Sequence, residues 1–201
     1  MRLGGMRRRR FVWLAWGGVA SLFGDEVAAG VGFGVKVVAA ARRQIGVTTI
    51  YDPAYVGLKY PGGDVPMDRG VCTDVVIRAF RGVGLDLQEL VHEDMRAHFG
   101  TDPKIWGAKK PDPNIDHRRV PNLMVYFKRR GKQLALTKTL EGCRAGDLVT
   151  CLVPPNRPHI MVVSDDAGVR GRPRIIHNIG QGTREADELL SYPLTGHFRW
   201  E

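Results

Sequence analysis

The spacing of apolar residues changes at Gly131, and that change constrains the fold of this 201-residue chain more than any other feature. Before Gly131, apolar side chains recur at helical spacing. After it they fall in short β-branched runs. "VKVVAAARRQIG" predicts an amphipathic helix ending near Gly46. Val71, Val75, Val76, Ala79 and Phe80 predict a second, stopped by Gly82 and Gly84. "DLQELVHEDMRAHF" presents Leu87, Leu90, Val91, Met95 and Phe99 as a third, and "DHRRVPNLMVYFKRRG" predicts a fourth, beginning near Asp116 or Pro121. "DLVTCLV", "HIMVVSD", "RIIHNIG" and "GHFRW" then read as strands, the second introduced by the turn "PPNRP". Helices first and an antiparallel sheet later make an α+β arrangement, with N-terminal helices packed on a C-terminal sheet. The long loop "TTIYDPAYVGLKYPGGDVPMDRG" delivers the chain to Cys72, and loops of that length in compact domains often carry function.

The first 29 residues read differently. Arg2 and Arg7 to Arg10 precede the apolar run "FVWLAWGGVASLFG", which is followed by "DEVAAG". A basic start, a short apolar middle and small residues at Val27, Ala28 and Ala29 match a secretory signal peptide, with an uncleaved anchor as its rival. The run is short and glycine-rich for a membrane span. Met6 would give a tidier start. Cutting after Ala29 removes five arginines, Asp25 and Glu26, which lowers the net charge from +9 to +6. The expected protein is therefore exported, periplasmic or envelope-associated, with one domain over 35–201. A mildly basic exported domain suits an anionic envelope component such as cell wall or lipid headgroups. Export and the lack of an interleaved aromatic-basic pattern argue against nucleic acid, and a membrane is expected as a partner only if the leader stays.

Cys72 stands at a helix start, where unpaired N–H groups and the helix dipole favour thiolate. His159 opens a strand, and His177 and Asn178 lie on the next. A thiol, an imidazole to take its proton and a polar group to orient that imidazole are the parts of a cysteine-hydrolase triad. The Cys72 backbone N–H can serve an oxyanion. Residue types alone leave a second reading open, since Cys72 shares a face with Val75, Val76 and Ala79 and free cysteine is commonly buried. Three cysteines leave one unpaired if Cys143 and Cys151, flanking "RAGDLVT", form a disulfide; both are equally compatible with buried thiols.

"GVCTDVV" resembles the cysteine-bearing helix start of NlpC-type papain-like cysteine peptidases, and "GDLV…HIMVV" resembles their Gly-Asp strand followed by the strand that carries the base. More of the chain, from about Val35 onward, resembles bacterial domain-of-unknown-function family 1287, through "RGVCTDVVIRAF", "DLQELVHEDM", "PDPNIDHRRVPNL" and "HNIGQGTREADELL…GHFRW". Val71 and Thr73 depart from the Asp-Cys-Ser start usual in the peptidases. The resemblance implies a papain-like α+β fold, with Cys72 as nucleophile, His159 as base and His177 as third member, Asn178 being the alternative. It also implies amide hydrolysis, with peptidoglycan stem peptides as substrate and no cofactor. Acyl transfer would use the same residues, and a cell-wall binding module without catalysis could keep the fold.

Two polar clusters remain. Asp116, His117, Arg118 and Arg119 form one, whose arginines could bind a substrate carboxylate through guanidinium forks. His92, Asp94, Asp116 and His117 could in principle hold a metal for a metal hydrolase, but they show no recognised ligand spacing, so no metal is expected.

Overall fold

A computed structural model describes Met1 and residues 32–201, except Glu141. The leader expected over 1–29 therefore lies almost wholly outside the described residues. Residues 32–201 form one compact unit.

The four expected helices are present. α1 (Phe33–Arg42) buries Val37, Val38, Ala40 and Ala41, and unwinds into turns that reach Gly46. α2 (Cys72–Arg81) is almost wholly buried, from Cys72 to Phe80. α3 (Leu87–His98) is capped by Asp86, whose carboxylate accepts the Gln88 N–H at 3.1 Å. α4 (Val120–Arg129) starts after a 3₁₀ turn over Asp116–Arg118 and carries Pro121 in its first turn, where no N–H is needed.

Five strands make an antiparallel sheet: β3 (Leu148–Val153), β4 (Arg157–Ala167), β5 (Pro173–Asn178), β6 (Thr183–Ala186) and β7 (Leu194–Phe198), in the order β6-β5-β4-β3-β7. Alternation along each strand splits the core in two. Leu148, Ile160, Val162, Ile176 and Phe198 face the helices, where α1, α2, α3 and α4 contribute to one large cluster. Val149, Cys151, Met161, Val163 and Ile175 face the other way and are covered by Leu140 and Leu189. Gly146 (φ +83°) opens β3 directly against α1, where a Cβ would come within 2.2 Å of Gly34 Cα.

The sequence reading did not include β6 or a two-residue parallel pair inside the long loop. In that pair β1 (Ile50–Tyr51) hydrogen-bonds to β2 (Arg69–Gly70), which fixes the loop immediately before Cys72. Among the described residues no helix is long and apolar enough to cross a membrane.

Candidate functional site

The start of α2 is held by a buried ion pair. Asp74 Oδ2 accepts the Val71 N–H at 2.7 Å, and the same carboxylate receives Arg118 through Nε (2.9 Å) and Nη2 (3.0 Å). Arg118 spends its remaining reach on the carbonyls of Ala54 (3.0 Å) and Asp52 (3.2 Å). The bridge thus ties the loop, the 3₁₀ turn and the helix start around Cys72. Gly70 is required by this packing, since a Cβ there would meet the Asp74 carboxylate at 2.9 Å.

Cys72 is 5% exposed. Burial pushes its thiol up to about 11, against the pull of the backbone N–H of Ile160, the Asp74 charge adding to the rise and the N–H groups of Thr73 and Cys72 opposing it. The helix start was expected to lower this pKa; desolvation outweighs it, so the resting sulfur is a thiol rather than a thiolate. The Ile160 N–H puts the sulfur against the opening of β4, on the face that Ile160 shares with Val162; His159, one position earlier, lies on the other face with Cys151 and Met161. No hydrogen bond joins Cys72 Sγ to the His159 ring among the described residues.

The two histidines do meet. His159 Nε2 lies 3.0 Å from His177 Nδ1, and the rings stand edge to face at 5.2 Å. Burial lowers His159 to about 4, and burial with the neighbouring His159 and Arg184 lowers His177 to about 3. Both rings are neutral at neutral pH, so one hydrogen is shared between them. His177 Nε2 is buried, has no hydrogen-bond partner, and lies 3.6 Å from Glu188 Oε2. Glu188 is itself held by Arg184 at 2.8 and 3.0 Å. A carboxylate there favours hydrogen on His177 Nε2, which makes His177 Nδ1 the acceptor and leaves His159 Nδ1 with a free lone pair. This tautomer is assigned from the network.

Asn178 points to the opposite side of β5. Its Nδ2 donates to Gly70 O at 3.0 Å and its Oδ1 accepts the Gly180 N–H at 3.2 Å. The structure therefore pairs His159 with His177 and uses Asn178 to bind the strand to the segment preceding Cys72.

Cys72 lines a groove of about 150 Å³, with Tyr51, Pro53, Trp106, Ile115, Arg119 and Pro158 among its walls. Of the four residues expected to bind substrate, only Arg119 is placed to do so. Arg118 borders the groove, but its guanidinium is committed to Asp74 and two carbonyls. Asp116 is buried against His92 Nδ1 (3.1 Å) and the Asp112 N–H (2.6 Å). His117 is 2% exposed, and burial lowers it to about 3. A run of charge reads as solvated in sequence; here the partners that take up Arg118 come from Asp52, Ala54 and Asp74, far away along the chain. Trp106 and Glu188 were not singled out by the sequence reading, since neither belongs to a chemical motif.

The four potential metal ligands do not converge: Asp94 pairs with Arg129 and His98, while Asp116 pairs with His92. Asp147 of the Gly-Asp pair has a supporting place. It accepts from His197 Nε2 (2.7 Å), Arg199 Nε (2.7 Å) and Nη2 (2.8 Å) and the Arg144 N–H (2.9 Å). Burial pushes its carboxyl up, but these donors hold it below the ordinary range. Cys143 Sγ lies 3.8 Å from the same His197 nitrogen. All three cysteines are free thiols, and Cys151 is buried in the sheet.

Residues 38–200 match the family model "Domain of unknown function (DUF1287)". The chain belongs to the DUF1287 family. A DUF1287-sized stretch of 160 residues is 52% identical to "Uncharacterized protein YijF" of Escherichia coli (strain K12), covering 80% of this chain and 78% of that one. The solved structure of NlpC1 from Trichomonas vaginalis aligns with a TM-score of 0.47 and 12% identity, over 85% of this chain; the chain spans 45% of that protein's length. The DUF1287 unit has an α+β layout: a buried helix that starts with the cysteine packs on an antiparallel sheet that carries the histidines.

Proposed function

We propose that this DUF1287 protein is an exported thiol hydrolase that cleaves an amide bond in peptidoglycan stem peptides. The observation that carries the reading is Cys72 at the start of α2, lining the groove with its sulfur against the opening of β4. The buried His159–His177 pair, 3.0 Å apart, lies on the other face of the same strands, so the reaction requires His159 to reach the sulfur at the end of β4. Substrate in the groove displaces water, and His159 Nδ1 takes the Cys72 proton as sulfur attacks the carbonyl carbon. The Cys72 N–H, at the first position of α2, faces the developing oxyanion. His159 then returns the proton to the leaving amine, and water, deprotonated by the same nitrogen, releases the acid from the acyl-enzyme. A neutral thiol and a neutral imidazole suit this sequence, because proton transfer accompanies attack instead of preceding it. Glu188 and His177 hold the hydrogen-bond order that keeps Nδ1 basic.

Secretion by the N-terminal leader would bring the basic domain to the envelope, and N-terminal sequencing of the cellular protein tests its removal after Ala29. The burial of Cys72 favours one rival, a cell-wall binding module that performs no chemistry. The two separate when purified peptidoglycan is incubated with the protein and with Cys72→Ala, and the products are identified by mass spectrometry. The hydrolase releases fragments with new amine and carboxyl ends that the variant does not. A binding module retains the polymer and releases nothing.

A further inference from the structure

We propose that Arg119, stacked on Trp106 in the groove that holds Cys72, binds a carboxylate of the substrate, so that the scissile amide is flanked by a free carboxylate. This rests on the reading of Cys72 as nucleophile and adds a substrate class to it.

Arg119 differs from the other partly or fully buried arginines. Arg42, Arg78, Arg81, Arg118, Arg129, Arg184 and Arg199 each hold a carboxylate within 3.0 Å, and Arg69 and Arg174 pair with Asp68 at 3.2 Å and Asp166 at 3.7 Å. The Arg119 side chain is half-buried and makes no hydrogen bond or ion pair among the described residues. Its one specific contact is with the Trp106 ring, 4.3 Å from guanidinium carbon to centroid. The neighbouring carboxylates are occupied elsewhere, Asp116 by His92 and the Asp112 N–H, and Asp112 by Tyr55 Oη (2.9 Å) and Asn114. A partly desolvated cation without an anion is costly, and an incoming anion offsets the cost.

With its carbon over the Trp106 ring and its N–H groups unpaired, the guanidinium is free to fork onto a planar two-oxygen acceptor. The rest of the groove is largely apolar, with Pro53, Ile115, Pro121 and Pro158 alongside Tyr51. At about 150 Å³ it accommodates a few heavy atoms around the reacting bond, not a whole polymer strand. The charged recognition must therefore be close to the amide that Cys72 attacks.

Two small alkylating reagents test this without a known substrate. Iodoacetate carries a carboxylate next to its reacting carbon, whereas iodoacetamide is its neutral counterpart. Both transfer their carbon to sulfur and release iodide. The rate constant at Cys72 is read by peptide mass spectrometry for each reagent, and half-exposed Cys143 in the same molecule serves as reference. Arg119→Gln should lower the iodoacetate-to-iodoacetamide ratio at Cys72 by about tenfold, the scale of one charge-assisted hydrogen bond, while the ratio at Cys143 stays fixed. Arg119→Lys should fall between, keeping the charge but losing the fork. Trp106→Leu should lower the ratio less than Arg119→Gln. Melting temperatures confirm that each variant is folded; if Arg119→Gln does not fold, the Trp106→Leu and Arg119→Lys ratios decide. An unchanged ratio at labelled Cys72 in the folded variants overturns the carboxylate site alone. Failure of both reagents to label Cys72 in the unaltered protein overturns the nucleophile assignment, and the site with it.

Discussion

His159 and His177 lie in surroundings too poor in water to carry charge, and this sets what each atom of the site can do. Neither ring is protonated near neutrality, so catalytic readiness depends on which nitrogen holds hydrogen rather than on net charge. His177 is the residue through which that order reaches His159. Replacing it by alanine should lower amide turnover by about 10²-fold or more, because His159 loses the partner that fixes its tautomer. Asn178→Ala should instead cost about 1–3 kcal/mol of stability, by removing the acceptor of the Gly180 N–H and one of the two donors to the Gly70 carbonyl, which keeps the Asp52 N–H at 3.2 Å, with turnover close to the parent. Rates measured beside melting temperatures distinguish the two. A turnover loss confined to Asn178→Ala would make Asn178 the orienting group. Sequence alone could not choose between them. Adjacent strand residues face opposite ways, and only the register of β5 against β4 says which one meets His159.

At the scale of elements, α2 is placed by the Asp74–Arg118 bridge as much as by its apolar face. Both side chains are almost fully buried, at 3% and 2% exposure. Arg118→Ala leaves the Asp74 carboxylate inside with no counter-charge, and should destabilise the protein by about 3–5 kcal/mol in urea unfolding. A loss below about 1 kcal/mol would mean that the loop and helix start are held by something else. The helix itself was legible, because Val75, Val76, Ala79 and Phe80 keep helical spacing and Gly82 stops them. Its tether was not, since "DHRR" reads as a solvated run until Asp74 is brought beside it from 44 residues away. β6 was missed for a related reason. "TREA" has half-buried charged residues and no apolar run, and becomes a strand only because β5 offers it an edge.

Across the whole molecule, three histidines are folded into the interior uncharged. His117, His159 and His177 have pKa values of about 3, 4 and 3 in the folded chain, against an ordinary value of about 6.5 when unfolded. As pH falls below about 6.5, the unfolded chain takes up protons that the folded one refuses. The stability these groups provide is therefore full above that pH and is lost progressively down to about pH 4 and below. The loss is on the order of 3 kcal/mol for each histidine, with His159 and His177 titrating as a pair. Urea midpoints measured from pH 7 to 4 should decline once the pH falls below about 6.5, and a flat profile would contradict the burial. The two-layer plan was legible in the change of period at Gly131. The burial of these histidines was not, because a polar residue in a strand gives no sign of which layer will cover it.

The account turns on His159 activating Cys72, and the most direct measurement is the rate at which iodoacetamide labels Cys72 at pH 7 in the unaltered protein and in folded His159→Ala. With a thiol near 11 and His159 as the base that takes its proton, labelling in the variant should fall by at least about tenfold, towards the lower end of what a positioned base contributes, while Cys143 is labelled equally in both. Equal rates at Cys72 in the two proteins would contradict the account.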